Sequence, residues 1–347
     1  MTLSAPAMTN AIDEVLEQQV GYCDARVVDL GVTRVLIRAN VPNFSGFRYF
    51  SRMRPAQPGE RAPHELFCID LDHEHSLDEA VVASYADTSF RGKRFTGGFY
   101  LTYHFGAPAS LITRGNRHYI AGRNLDRIIW GWYTKYILTV HSFSAGSLHL
   151  KAACFAVDGD GTLLVARGSG GKTVLLAQVC QDGATFISNT HSIVDRERIA
   201  HGVPTTLRVR EDACFGPLVR SRKLQPHLDQ DEYIADPALL FPRSGSSARV
   251  RNVCIVDYRP EAASAITTLS SAAAYDMFEQ FGFPINTYGM KDDVLEFCHG
   301  DAAEFLAVYG NAKQQLRELV NGAHCLYVNA DMLNPKERAR LMKALRH

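Results

Sequence analysis

From residue 16 to residue 145 the apolar positions come in short runs of aromatic and β-branched residues, separated by Gly, Pro and Asn. Arg34-Val35-Leu36-Ile37-Arg38, Phe67-Cys68-Ile69-Asp70-Leu71 and Phe99-Tyr100-Leu101-Thr102-Tyr103-His104 are examples, and they predict strands of a mixed, mostly antiparallel sheet. Asn124 to Val140 differs: Leu125, Ile128, Ile129, Trp132, Tyr133, Tyr136 and Ile137 recur at helical spacing and predict an amphipathic helix packed on that sheet. The second half opens with a strand pattern over Leu150–Val157, a turn at Asp158-Gly159-Asp160-Gly161, and an apolar strand over Thr162–Val165. A Gly-rich loop follows, then a helix from Thr173 to Val179, a turn at Asp182-Gly183 and a strand over Ala184–Ser188. Further strands are predicted at Leu207–Arg210 and Val250–Asp257, an exposed loop at Phe241–Ser247, and helices at Ala272–Phe281, Asp301–Val320 and Pro335–Leu345. Residues 1–15 read as a loose start, and no internal repeat is present. The pattern divides the chain into a strand-rich amino-terminal domain, 1–145, and a mixed α/β domain, 146–347, with a helical carboxyl-terminal tail.

Composition narrows the function classes. With 347 residues, 46% hydrophobic and 21% charged, the chain can bury a sizeable core. Its 37 basic and 37 acidic residues cancel, with no basic block, which argues against nucleic acid as a partner. The eight cysteines form no Cys-x-x-Cys pair, so their spacing supports neither a zinc site nor a disulfide framework, and free thiols in a reducing cytosol are expected. The first 14 residues lack a basic stretch followed by an apolar run, and no apolar stretch reaches the roughly 18–20 residues of a membrane span. A cytoplasmic protein with no membrane partner is the expectation. Whether it forms a homo-oligomer is left open.

The chemistry centres on Ala166-Arg167-Gly168-Ser169-Gly170-Gly171-Lys172-Thr173. In the pattern Gly-x-x-x-x-Gly-Lys-[Ser/Thr], glycines let the backbone curl round an anion so that successive N–H groups point inward. The following helix adds its positive end, the lysine neutralises the β- and γ-phosphates, and the hydroxyl residue is a magnesium ligand. Gly171, Lys172 and Thr173 fill the end of the pattern, while Ala166 replaces its first glycine. An apolar strand before the loop and an amphipathic helix after it are the context the motif requires. Arg167 to Thr173 are therefore candidate binding residues for ATP and Mg2+.

With these residues assembled, the chain resembles the HPr kinase/phosphorylase family and its relatives in bacterial biosynthetic gene clusters. The resemblance is carried by Leu150-Lys151-Ala152-Ala153-Cys154-Phe155-Ala156-Val157, Gly159-Asp160-Gly161, Leu163-Leu164-Val165 and the loop, and covers roughly residues 145–260. It implies a fold like that of phosphoenolpyruvate carboxykinase, with ATP, magnesium, and a hydroxyl of a peptide, protein or natural-product intermediate as phosphoryl acceptor. Two departures stand out. Lys151 holds the place of a family histidine, with His149 two residues earlier, and two residues apart on a strand share a face. Where the family carries an acidic pair, this chain reads Asn189-Thr190-His191, with no carboxylate until Asp195. Asn189 is a candidate for magnesium or its bound water, and His191 for the base, its ordinary pKa of about 6.5 suiting proton transfer near neutrality. His149 and Lys151 are candidates for stabilising the transferred group.

Two other clusters weigh less. Arg208, Arg210, Arg220, Arg222 and Lys223 could hold phosphates or an acidic acceptor, although such residues are more often the solvated side of a strand. Asp70-Leu71-Asp72-His73-Glu74-His75 is dense in metal-ligating types but precedes Ser76-Leu77-Asp78-Glu79-Ala80, a capped helix start, and reads better as a solvated turn. An ATP-dependent kinase is the leading expectation. A nucleotide-binding regulator or scaffold that has lost catalysis is the alternative. A carboxykinase-like decarboxylating enzyme would need a dense carboxylate/His metal site near the loop, and the sequence offers none.

Overall fold

Pairing of the apolar runs in the first third of the chain builds one sheet. The computed structural model describes residues 20–73, 86–88, 92–95, 98–101, 109–221, 224–227 and 232–346, and the statements below concern these. The chain is mixed α/β and divides into two units, 1–135 and 136–347, the division falling within helix α1 (Thr134–Ala145). The acidic cluster Asp70–His75 lies partly, and the loose start wholly, outside the described residues.

In the first unit the strands are β1 (Asp24–Asp29), β2 (Arg34–Ala39), β3 (Met53–Pro55), β4 (His64–Asp70), β5 (Ala86–Thr88), β6 (Gly92–Phe95), β7 (Gly98–Leu101), β8 (Ala109–Arg114) and β9 (Arg117–Gly122). Their order is β3-β1-β2-β4-β9-β8-β7-β6-β5, antiparallel throughout except that β4 runs parallel to β2 and β9. Period-two alternation sends Phe67 and Ile69 of β4 to one face, where Phe67 stacks on Tyr119 of β9 with ring centroids 4.7 Å apart. Glu65 is a buried carboxylate matched by Arg38 and Arg61, at 3.3 Å and 3.2 Å, which offsets its desolvation. The helix expected over 124–140 begins at Leu125, passes through a π-helical stretch, Ile129–Tyr133, and continues as α1 to Ala145. Trp130 stacks on Tyr49 at 5.5 Å, and Trp132 and Tyr133 are buried.

The second unit has β10 (Leu148–Leu150), β11 (Ala153–Val157), β12 (Asp160–Ala166), β13 (Thr185–Ser188), β14 (Ser192–Val194), β15 (Ile199–Gly202), β16 (Leu207–Val209), β17 (Gln225–Pro226), β18 (Tyr233–Ala235), β19 (Ser247–Val256), β20 (Ala265–Thr268) and β21 (His324–Asn329). Its labelled helices are α2 (Lys172–Gln181), α3 (Ser271–Phe281), α4 (Ala302–Asn321) and α5 (Pro335–Ala344). The middle of the large sheet runs β13-β11-β12-β19-β21. Strand β11 is antiparallel to β12 and β13, while β19 is parallel to β12 and β21, so β13, β12, β19 and β21 all point one way. Leu164, Ala166, Cys254 and Val256 face α2 and α5, whereas Leu163, Val165, Val253 and Ile255 face α3 and α4. Cover on both faces explains why these strands read as continuous apolar runs rather than alternating ones.

The strand expected over Leu150–Val157 is two strands. It breaks at Lys151-Ala152, so that β10 pairs with β14 and β11 with β12 and β13. Strands β14, β15 and β21 and the short helices Pro284–Thr287 and Lys291–Phe297 had no counterpart in the sequence reading. β14 has three residues, too few for a period, and β21 is an apolar run close behind a long helix.

Gly202 of β15 lies so close to its neighbour that a Cβ there would stand 2.1 Å from the Ile187 carbonyl oxygen, whereas a Cβ on Gly310, on the exposed side of α4, meets nothing within 4 Å. Gly202→Ala is therefore expected to destabilise the protein by about 1–3 kcal/mol through overpacking. Gly310→Ala is expected to stabilise it by about 0.5–1 kcal/mol through helix propensity. Urea unfolding followed by circular dichroism reads both, and equal midpoints for the two variants would contradict the packing at β15.

Candidate functional site

The Gly-rich loop leaves the carboxyl end of β12 and enters α2, with Ala166 as the last strand residue, paired to Val256. The first position of the motif thus lies in extended backbone and is buried, where alanine fits without strain. Arg167, Gly168 and Ser169 are exposed and Gly170 is buried beneath them. Ser169 and Gly171 have φ of 59° and 90°, a left-handed alternation that turns successive backbone N–H groups to one side. Gly171 is required twice over: its φ is positive, and a Cβ would stand 3.0 Å from that of Tyr258, whose N–H donates to the Gly170 carbonyl at 3.1 Å. Lys172 and Thr173 open the first turn of α2.

Because β13, β12, β19 and β21 share a direction, their carboxyl ends gather around this loop. From β13 comes Asn189, whose carbonyl accepts a hydrogen bond from Lys172 Nζ at 2.8 Å. The Asn189 side-chain Oδ1 is buried and makes no hydrogen bond, an acceptor left open beside the lysine. His191, two residues on, is fully enclosed, and its Nδ1 lies 3.0 Å from His149 Nε2; Thr139 Oγ1 of α1 lies 2.9 Å from His149 Nδ1. Tyr288 lies against this pair, its ring centroid 6.1 Å from that of His191, and Lys151 Nζ sits over the Tyr288 ring at 5.3 Å. The sequence-predicted His149, Lys151, Asn189, His191 and Lys172 are thus brought together by contacts. His149 and Lys151 come together through different contacts, since the strand ends between them at Leu150.

Electrostatically the cluster is cationic. Burial pushes the Lys172 ammonium down to about 8, with the charge of Lys151 adding to the effect, and burial also lowers Lys151. Among the described residues neither lysine forms an ion pair with a carboxylate. A carboxylate that meets the loop is Asp257, which follows β19 and accepts from Arg167. Burial pushes it up, but hydrogen bonds from Arg167 and Arg259 outweigh that and hold it below the usual carboxylate range.

Other candidates are placed elsewhere. Arg208 and Arg210 pair with Glu232 at 3.6 Å and 3.4 Å, and Arg220 with Glu211 at 3.0 Å, while Arg222 and Lys223 lie outside the described residues. Asp195 accepts from the backbone of Glu197 and Ile199 and lies 3.0 Å from His201 Nε2. In the acidic cluster Asp72 pairs with Arg123 and Asp70 with His73, and Glu74 and His75 lie outside the described residues. Among the described residues no three His, Cys, Asp or Glu side chains gather as a metal site, and all eight cysteines are free. Nor is any described helix long and apolar enough to cross a membrane. Sequence reasoning assigned no role to Asp257, Arg259 or Tyr288. For Asp257 a signal existed, an apolar strand ending in a carboxylate.

No family model matches the chain, and no curated protein matches its sequence.

Lys172 offers a test without any ligand. Its folded pKa, about 8, lies below its unfolded value, about 10.5. Between those values the unfolded chain binds more protons, so stability should rise with pH there, by at most about 1.4 kcal/mol per pH unit. Lys172→Met should lose that rise. Denaturant unfolding at pH 7.5, 8.5 and 9.5 measures it, and identical slopes in parent and variant would show that Lys172 is not desolvated.

Proposed function

We propose that the protein is an ATP-dependent kinase with a phosphoenolpyruvate-carboxykinase-like nucleotide domain, transferring the γ-phosphoryl group to a hydroxyl of a peptide, protein or natural-product intermediate. The observation that carries the reading is the desolvated Lys172 at the mouth of a left-handed loop, with Lys151 near it and no carboxylate paired to either. Such a cation is stabilised by an anion, and backbone N–H groups at a helix start complete a phosphate cradle. In this reading Arg167 to Thr173 hold the triphosphate, Lys172 neutralises the β- and γ-phosphates, and Lys151 faces the transferred group. The residues fit magnesium: the Thr173 hydroxyl and the open, buried Oδ1 of Asn189 would hold it. Magnesium, when bound, neutralises phosphate charge and orients the chain of phosphates.

The acceptor oxygen attacks the γ-phosphorus, the bond to the β–γ bridging oxygen breaks, and ADP leaves. The hydroxyl proton passes to the His149–His191 pair, with Thr139 fixing the outer ring. Phosphoryl transfer is mainly positioning and charge neutralisation, so these groups suffice in kind. The free thiols accord with the cytoplasmic setting expected of such an enzyme. A second reading, a nucleotide-binding regulator without catalysis, is favoured by the complete enclosure of His191 together with Asn189 in place of a carboxylate.

Incubation with ATP, magnesium and candidate acceptors, followed by ADP release, separates the two. The kinase reading expects Lys172→Ala to abolish transfer or weaken triphosphate binding. It also expects His191→Ala to lower turnover by about 10²–10⁴-fold with little change in nucleotide affinity. Triphosphate binding with no transfer to any acceptor would favour the regulator, and unchanged binding in Lys172→Ala would remove the phosphate loop from the account.

A further inference from the structure

Asp257 occupies the place, at the end of the strand parallel and adjacent to the loop strand, where phosphate-loop ATPases keep a metal-binding carboxylate. Its surroundings here are different. Oδ1 accepts from Arg167 Nε at 2.8 Å, and Oδ2 accepts from Arg259 Nη2 at 2.5 Å and from the Tyr327 hydroxyl at 3.4 Å. Its own N–H donates to the Val328 carbonyl of β21, and the Arg259 N–H donates to Asn329 Oδ1. The carboxylate is almost fully buried, with 8% of its side chain exposed, whereas the two guanidinium side chains are about half exposed, at 48% and 53%.

Both carboxylate oxygens are thus committed to arginines. Each arginine gives Asp257 a single nitrogen, and among the described residues the remaining side-chain N–H groups of Arg167 and Arg259 make no hydrogen bond. Arg167 is itself a loop residue, and the next residue after Asp257, Tyr258, is hydrogen-bonded to Gly170. The two forks therefore stand at the loop's mouth, preorganised by a buried anchor. A guanidinium matches phosphate geometry in a fixed fork, and holding it in place beforehand reduces the ordering that binding would otherwise require.

We propose that Asp257 is a positioning residue which aims Arg167 and Arg259 at the phosphate chain of the nucleotide, so that two arginines grip the polyphosphate directly. The inference rests on the loop being a triphosphate site. It assigns the protein a polyphosphate grip that works without metal, and makes the pair the part of the site that distinguishes tri- and diphosphates from monophosphates.

The test is isothermal titration of ATP and of inorganic triphosphate into the full chain, in EDTA and again with magnesium, with AMP as the comparison. The sign of the effect of Asp257→Asn discriminates. Removing a negative charge near the site would by itself tighten anion binding; loss of the anchor weakens it. The grip predicts that Asp257→Asn weakens triphosphate binding about tenfold or more in EDTA, and by a similar factor with magnesium. Arg167→Gln and Arg259→Gln, both at exposed positions that the fold tolerates, should each weaken ATP in EDTA by a comparable factor and leave AMP nearly unchanged. Binding in EDTA that is unchanged or tighter in Asp257→Asn and in both arginine variants overturns the proposal. So does a loss confined to the magnesium-loaded titration, which would make Asp257 a metal ligand. If the parent binds neither ATP nor triphosphate, the nucleotide reading itself fails. If the parent binds and only Lys172→Ala weakens it, that reading stands and the grip falls.

Discussion

Parallel pairing of β12 with β19, Ala166 against Val256, is the constraint from which the rest of the site follows. It sets the end of the loop strand level with the end of its neighbour, so that Arg167 and Asp257 emerge side by side. Shifting the pairing by one residue would send the apolar side chains of either strand to the opposite face. Both faces are packed, Leu164 and Ala166 against one set of helices and Leu163 and Val165 against another, so no such slip is tolerated. The same register lets Tyr258 close on Gly170 and Gly171, which shapes the loop from below. Core packing and site geometry are here one requirement.

Charge in the site runs against stability. Lys172 is desolvated with one carbonyl for a partner, and Lys151 lies near it over an aromatic ring. Water would solvate these ammonium groups better than the folded protein does. On the proposed reading the phosphates supply the missing charge, and binding then stabilises the fold by an amount that grows with the logarithm of ligand concentration above Kd. The buried, open Oδ1 of Asn189 fits the same account from the opposite sign, as an acceptor waiting for a cation or a donor.

How far the sequence disclosed this depends on whether each feature is local. The loop, its strand and its helix were legible because Gly, Lys and Thr at fixed spacing between two apolar segments state their geometry within a dozen residues. The sheet of the first unit was legible as a class, since aromatic runs between turn formers define strands, but its order was not, because the parallel β2-β4-β9 core joins segments far apart in sequence. The His149–His191 contact was half legible: each residue was marked by its place in the family resemblance, while their 3.0 Å meeting depends on the break at Lys151-Ala152. In sequence the strand pattern runs on past that break from Leu150 to Val157. Asp257 was read as the end of a strand and given no task, because the arginines that define its role come from position 167 and from a turn steadied by β21. Tyr288 follows a four-residue helix with no periodic signal of its own.

The charged and polar groups around the loop share one direction. Lys151 adds a cation near Lys172, and Asn189 brings a neutral amide oxygen. The remaining carboxylate at the loop, Asp257, is turned to two arginines. On the proposed reading each of these features favours a phosphate over a divalent cation. Negative charge on a phosphate chain is neutralised either by metal or by lysine and arginine, and a site supplies more of one when it supplies less of the other. On the proposed reading the two features are therefore coupled: Asn189, being neutral, holds magnesium less strongly than a carboxylate would, and Lys151 with the Asp257-anchored arginines takes over part of its electrostatic task. A change at one of these positions without the other would leave the phosphates either short of positive charge or crowded by it.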